Sequence, residues 1–199
     1  MSAGSPLPPA CAANRCGAES RIEKSHAILI RKTLLTETSL IVHWCSKEHG
    51  LIKTVARGAR RAGSPFAGKL DLFYHAELVW LPSKKSDLHV LKEVEVSDFR
   101  LGIQESWLRV LCGSYFIQLI EAVAERETPV ESLYHLLARA LDYLGQQDPT
   151  RKAVLHFEKE LAHDLGVHGD GGVPPIVSLR QMLHRTPAQR ESLWNQLKS

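Results

Sequence analysis

The sequence predicts an α+β protein in two domains, a small closed β-barrel of five strands followed by an all-α helical domain. Three observations carry this. Apolar residues recur with a period of two as far as Asp98 and with a period near 3.6 beyond it. Five strand-like runs fall within about 70 residues, too many for one flat sheet to protect its edges, and closure into a barrel removes them. The charge is also split. Arg21 to Lys92 carries a net +7 and Glu93 to Ser199 a net −4, within an overall +3. A positive excess confined to one half points to a polyanionic partner for that half.

Residues 1–24 are expected to be a disordered N-terminal tail. Met1 to Arg21 is rich in Ser, Pro, Ala and Gly, and it has neither the basic opening nor the apolar stretch of a secretory signal. The barrel is expected over 25–97. Ser25 to Arg31, with its His-Ala-Ile-Leu-Ile run, is the first strand, and Ser39 to Cys45 the second. Between the second and third, Lys47-Glu48-His49-Gly50 is a polar turn ending in the residue that best tolerates positive φ. Leu51 to Arg57 is the third strand, with Leu51, Lys53, Val55 and Arg57 on one face by alternation. Phe73 to Leu81 and Leu88 to Val96 are the fourth and fifth, joined by a hairpin loop at Pro82 to Asp87. The oligonucleotide-binding (OB) barrel has this strand count. Its usual helix between the third and fourth strands would fall in Gly58 to Leu72, where only a short helical turn is expected.

The helical domain is expected over 98–199. Glu105 to Ala124 is apolar on most sides and reads as a buried central helix, with Gly113 marking a close neighbour. Thr128-Pro129-Val130-Glu131 reads as a capping box opening a helix through Leu144. Asp148-Pro149 is expected to cap the next, which buries Val154, Phe157, Leu161 and Leu165 and stops near Gly166. Thr186-Pro187 opens a last short helix through Leu193, Trp194 and Leu197.

Composition narrows the function classes. A chain 44% hydrophobic and 24% charged is an ordinary globular one, and no apolar run approaches the roughly 18 residues a membrane-spanning helix needs. The four cysteines, Cys11, Cys16, Cys45 and Cys112, form neither a disulfide framework nor a zinc ribbon. Cys45 and Cys112 read as buried thiols, and all four fit a reducing cytoplasm. The ten histidines are scattered. His156, His163 and His168 offer no ligand set of tetrahedral spacing. Gly169-Asp170-Gly171-Gly172 follows a helix rather than a strand, so it is no dinucleotide-type phosphate loop. Glu93 and Glu95 share a strand face and read as solvated. The expectation is a protein without catalytic residues, metal or cofactor.

The strongest local feature runs from Val55 to Phe66. It places Arg57, Arg60, Arg61, two glycines and Ser64 at the exit of a strand. Guanidinium forks fit phosphate oxygens, a hydroxyl can donate to them, and Phe66 would offer a stacking face. Lys53, Lys69, Lys84 and Lys85 are expected to widen the patch. By composition alone the same run also reads as a solvated basic loop.

His26 to Leu72 resembles the N-terminal domain of the RecO family of DNA repair and recombination mediators. The matching pieces are Ala27 to Arg31, Leu34 to Val42, Glu48 to Ile52, Val55 to Arg61 and Ser64 to Leu70, with Ser39 where the family often has Asp. Tyr115 to Val123, the leucine-rich helix and Phe157 to Gly166 match more loosely. Many family members carry a four-cysteine zinc motif just after the segment equivalent to Leu165-Gly166. Here that place reads Val167-His168-Gly169-Asp170-Gly171-Gly172, and about 30 residues remain, so a variant without the zinc module is expected.

The resemblance implies an OB-fold domain that binds single- and double-stranded DNA and anneals complementary strands without ATP. It also implies that the chain works with RecR, and often RecF, to help RecA replace single-strand-binding protein, in the cytoplasm at the nucleoid. The acidic, apolar-tipped C-terminal tail of single-strand-binding protein is expected on the helical half. Arg139, Arg151 and Lys152 border its apolar faces and are the candidates. Two other classes stay open: an adaptor with an OB-like barrel and no direct DNA role, and a metal-dependent nucleic-acid-processing enzyme, for which no acidic cluster is visible.

Overall fold

The computed structural model describes residues 21–125, 127–128, 130–167, 173–183, 187 and 189–197. Residues 1–20 of the expected tail, with Cys11 and Cys16, and His168, the Gly169–Gly172 run and Thr186 lie outside them, whereas Glu23 and Lys24, expected in the tail, open the first strand and pair with Trp80 and Val79. The five strands are β1 (Glu23–Leu34), β2 (Leu40–Ser46), β3 (Gly50–Ala56), β4 (His75–Leu81) and β5 (Leu88–Asp98). They close into a barrel in the order β1-β2-β3-β5-β4, and a short parallel pairing of Lys53–Val55 with Leu88–Val90 makes the closure. Among the described residues six helices follow: α1 (Leu101–Gln104), α2 (Trp107–Val123), α3 (Glu131–Gln146), α4 (Arg151–Asp164), α5 (Pro175–Met182) and α6 (Gln189–Gln196).

The apolar run of β1 is continuous because both its faces are covered. Ala27 and Leu29 join the barrel interior with Val42, Trp44 and Ile52, while Ile28 and Ile30 join a second core with the helices. β1 is longer than its apolar run. Its first half pairs with β4 and its second with β2, and a register shift between Leu29 and Arg31 lets one strand serve both neighbours. Inside the barrel the indole N–H of Trp44 donates to Thr54 Oγ1 at 2.9 Å and that of Trp80 to Ser25 Oγ at 3.2 Å, so neither buried donor lacks a partner. Between β3 and β4 no helix forms. Residues 58–69 run through successive i to i+3 turns, and Phe66 and Leu70 plug the barrel core.

The helices pack on the outer face of the barrel. α2 is central, as its all-round apolar pattern predicts. Gly113 on it is approached so closely that an added Cβ would lie 2.9 Å from the Phe73 ring. Phe116 of α2 stacks on Phe157 of α4, centroids 4.0 Å apart. Glu158 of α4, fully buried, accepts from the Tyr115 hydroxyl at 2.6 Å and from Nε and Nη2 of Arg190 of α6 at 2.7 and 3.1 Å. At the junction the buried Arg100 guanidinium donates to Asp142 at 2.9 and 2.8 Å and to the Phe73 carbonyl at 3.0 Å.

Two expected caps are corrected. α3 starts after Val130 with no side-chain cap. Glu131 is drawn instead to Lys47 at 3.1 Å and His135 at 3.2 Å, and the 127–128 backbone is packed on the β2–β3 turn, where Glu127 N–H donates to the Leu51 carbonyl. α4 is capped by Thr150, whose Oγ1 accepts from Ala153 N–H, while Asp148 is engaged with Arg109 at 2.7 Å. α1 and α5 were not anticipated. Among the described residues no helix is long and apolar enough to cross a membrane.

Candidate nucleic-acid interface

Barrel closure in this order brings three separate stretches to one mouth: the β1–β2 loop, the exit of β3 and the β4–β5 loop. Between them lies a groove of about 810 Å³. Arg57 and Arg61 line it from the β3 exit, Thr36, Thr38 and Ser39 from the first loop, and Pro82 and Ser83 from the second. Its floor is aliphatic, including Val55, Leu88 and Val90, and no carboxylate is among its lining residues. Both arginines are exposed, and no ion pair engages either among the described residues.

The loops are braced. Arg60 N–H donates to the Thr38 carbonyl at 3.0 Å, and its guanidinium to the Glu37 carbonyl at 3.1 Å. Ser39 Oγ accepts from Gly58 N–H at 3.3 Å. Arg60 thus ties the two loops together, with its side chain turned from the groove. Lys84 and Lys85 extend from the β4–β5 loop beside Ser83, exposed and free of ion pairs among the described residues.

The remaining sequence candidates are not brought into this groove. Lys53 is held by Asp87 at 3.2 Å and lines a depression against α2. Lys69 donates to the Val94 carbonyl at 3.0 Å and faces Glu95 at 3.6 Å, in a separate cleft where Lys24 and Lys92 are offset by Glu48, Glu77 and Glu93. Ser64 is half-buried, its Oγ accepting from Phe66 N–H. Phe66 is 6% exposed and offers no stacking face, because its ring fills the barrel instead of a loop tip. The threonines, Ser39 and Ser83 were missed; the loop pairing that an OB strand order imposes was the signal that would have found them.

A second groove, of about 480 Å³, lies among α2, α3 and α4. Phe116, Leu136, Tyr143 and Phe157 give it an apolar wall, and Arg139 and Lys152 stand on its rim. Arg151 is elsewhere. Its guanidinium sits 5.4 Å from the Trp194 ring centroid and donates to the Trp194 carbonyl at 3.5 Å.

Residues 21–100 match the family model described as "Recombination protein O N terminal", and residues 104–170 match "Recombination protein O C terminal". The chain belongs to the RecO family. It is 29% identical over 140 residues to a protein of Rhodopirellula baltica named DNA repair protein RecO, spanning 70% of this chain and 52% of that one. A protein of Paraburkholderia xenovorans with the same name is 31% identical over 146 residues, 73% of this chain and 48% of the relative. The chain thus spans about half the length of the curated relatives it matches. The zinc that many RecO members hold finds no fitting residues at the expected place, which carries no cysteine. Cys45 and Cys112 do not substitute: burial pushes the Cys45 thiol up to about 12 and the Cys112 thiol higher still, so neither offers a thiolate. Among the described residues no group of three or more His, Cys, Asp or Glu could hold a metal.

Proposed function

We propose that this RecO chain is a DNA-binding recombination mediator, not a catalyst. It anneals complementary single strands and, with RecR, helps load RecA onto DNA coated by single-strand-binding protein, in the cytoplasm at the nucleoid. The observation that carries this reading is the carboxylate-free groove at the barrel mouth, with Arg57 and Arg61 on its walls and Lys84 and Lys85 beside it. Two DNA strands repel each other through their phosphates, and a cationic surface lowers that repulsion without any covalent step. The division of labour follows the two parts of the chain, DNA on 25–97 and a protein partner on 98–199.

For that partner the helical groove fits the acidic, apolar-tipped tail of single-strand-binding protein. The half-buried Ala140, Tyr143 and Ala153 would take the apolar tip, and Arg139 and Lys152 the carboxylates. RecF and RecA would be engaged indirectly. The test is a strand-annealing assay with bare and with protein-coated single strands. Acceleration of both, lost as salt rises, is expected. No acceleration of either, together with salt-insensitive failure to bind DNA, would favour the adaptor reading.

A further inference from the structure

Two leucines beside the arginine groove are left in solvent. Leu34 is 63% exposed and Leu35 45%, and Leu35 lines the groove together with Arg57 and Arg61. Exposed apolar surface costs about 25 cal/mol per Å² relative to burial, so a loop free to rearrange would tuck such side chains away. This loop is held. Leu35 N–H donates to the Ser39 carbonyl at 3.0 Å, Ser39 N–H donates to Thr36 Oγ1 at 3.1 Å, and Arg60 clamps the carbonyls of Glu37 and Thr38. The leucines are thus displayed on a built tip.

The groove beside them is chemically two-sided. Guanidinium groups and the hydroxyls of Thr36, Thr38 and Ser83 suit phosphate oxygens. No aromatic ring lines it, because the barrel's Trp44, Phe66, Phe73, Tyr74 and Trp80 are all buried. A single strand presents phosphates along one edge and apolar base faces along the other, and proteins that grip such strands usually meet the bases with rings. Here the apolar surface within reach is aliphatic. Leucine is among the side chains that wedge between bases elsewhere.

We propose that Leu35, with Leu34 beside it, is a base-contacting tip that wedges against unstacked nucleobases while Arg57 and Arg61 hold the adjoining phosphates. This rests on the DNA-binding reading of the groove and adds the element that distinguishes a single strand, with its bases open, from the outer surface of a duplex. It also suits annealing: the tip holds bases apart without a stacking ring that would compete with pairing.

The test compares a base-containing single-stranded oligonucleotide with an abasic one of equal length, for the wild type, L34S/L35S and the milder L35A. Wild type should bind the base-containing strand about fivefold more tightly or better. L34S/L35S should bring that ratio close to one without changing the salt slope, and L35A should give an intermediate ratio. A 2-aminopurine placed in the strand should change its fluorescence on binding wild type and change it less with the variants. Both substituted residues are solvent-exposed, and thermal melts check that the variants fold. A ratio that stays at the wild-type value in both variants overturns the proposal and leaves the tip as a protein contact. If R57A/R61A still weakens binding in that case, the phosphate reading stands on its own. If wild type binds neither oligonucleotide at low salt, both readings fall together.

Discussion

His75 stands where β4 meets the helices, its Nε2 2.6 Å from the Tyr134 hydroxyl and its Nδ1 2.9 Å from that of Ser97. Burial, and then the positive charge of Arg100, holds its pKa below the ordinary histidine range. The folded chain therefore takes up this proton less readily than the unfolded one, and stability rises with pH through the window. The contribution is intact above the unfolded value near 6.5 and is lost progressively as pH falls below it. Urea melts should show wild type losing stability between pH 7 and pH 5, and H75N should lose less over the same interval. An equally steep loss in H75N would remove His75 as the origin. Residues of this kind are poorly legible in a sequence, since the effect comes from burial in the folded chain and from Arg100, distant along the chain. The same holds for the basic candidates. Arg57 and Arg61 could be picked out because they sit together, but nothing near Lys53 or Lys69 in sequence announces that Asp87 and Glu95 neutralise them.

At the scale of elements, the β2–β3 turn decides how the barrel meets the helical half. Gly50 has φ +68°, and an added Cβ would lie 2.2 Å from the Thr128 carbonyl oxygen, a backbone atom fixed by its own packing. Left-handed backbone costs a side chain about 1–2 kcal/mol and such overpacking about 1–3 kcal/mol more, so G50A should lose at least about 2 kcal/mol in denaturant melts. A loss under about 0.5 kcal/mol would mean the contact is not tight. Gly50 was legible as a turn residue, but its approach to Thr128, which displaces the expected capping box, was not. Periodicity located α3 and α4 because each buries a stripe, and α2 because a run apolar on most sides reads as a buried helix; α1 is too short to show either. The groove among these helices makes its own prediction. A tail peptide ending in acidic and apolar residues should bind about tenfold more weakly to R139A or K152A. R151A should bind it as wild type does, because Arg151 is packed on Trp194. Wild-type affinity in both R139A and K152A would move the peptide off this groove.

Across the whole molecule, barrel and helices share one apolar core, in which Ile28, Ile30, Cys45 and Phe73 meet α2 and α3. The succession of a barrel and then helices was legible because the hydrophobic period changes at Asp98 and the charge changes sign nearby. The shared core was not, since a strand buried on both faces looks the same whether a sheet or a helix covers it. The groove itself is a product of closure: loops about 20 and 45 residues apart become neighbours only through the strand order. DNA binding at this mouth therefore requires that its arginines hold phosphates. The direct measurement is the affinity for a single-stranded oligonucleotide across a salt series, for wild type and R57A/R61A, with circular dichroism confirming the fold of both. Each arginine that neutralises one phosphate contributes about one unit to the slope of log affinity against log salt. The variant should therefore bind more weakly at low salt, with a slope flatter by about two units. Superimposable lines for the two proteins would contradict the account and place the DNA elsewhere.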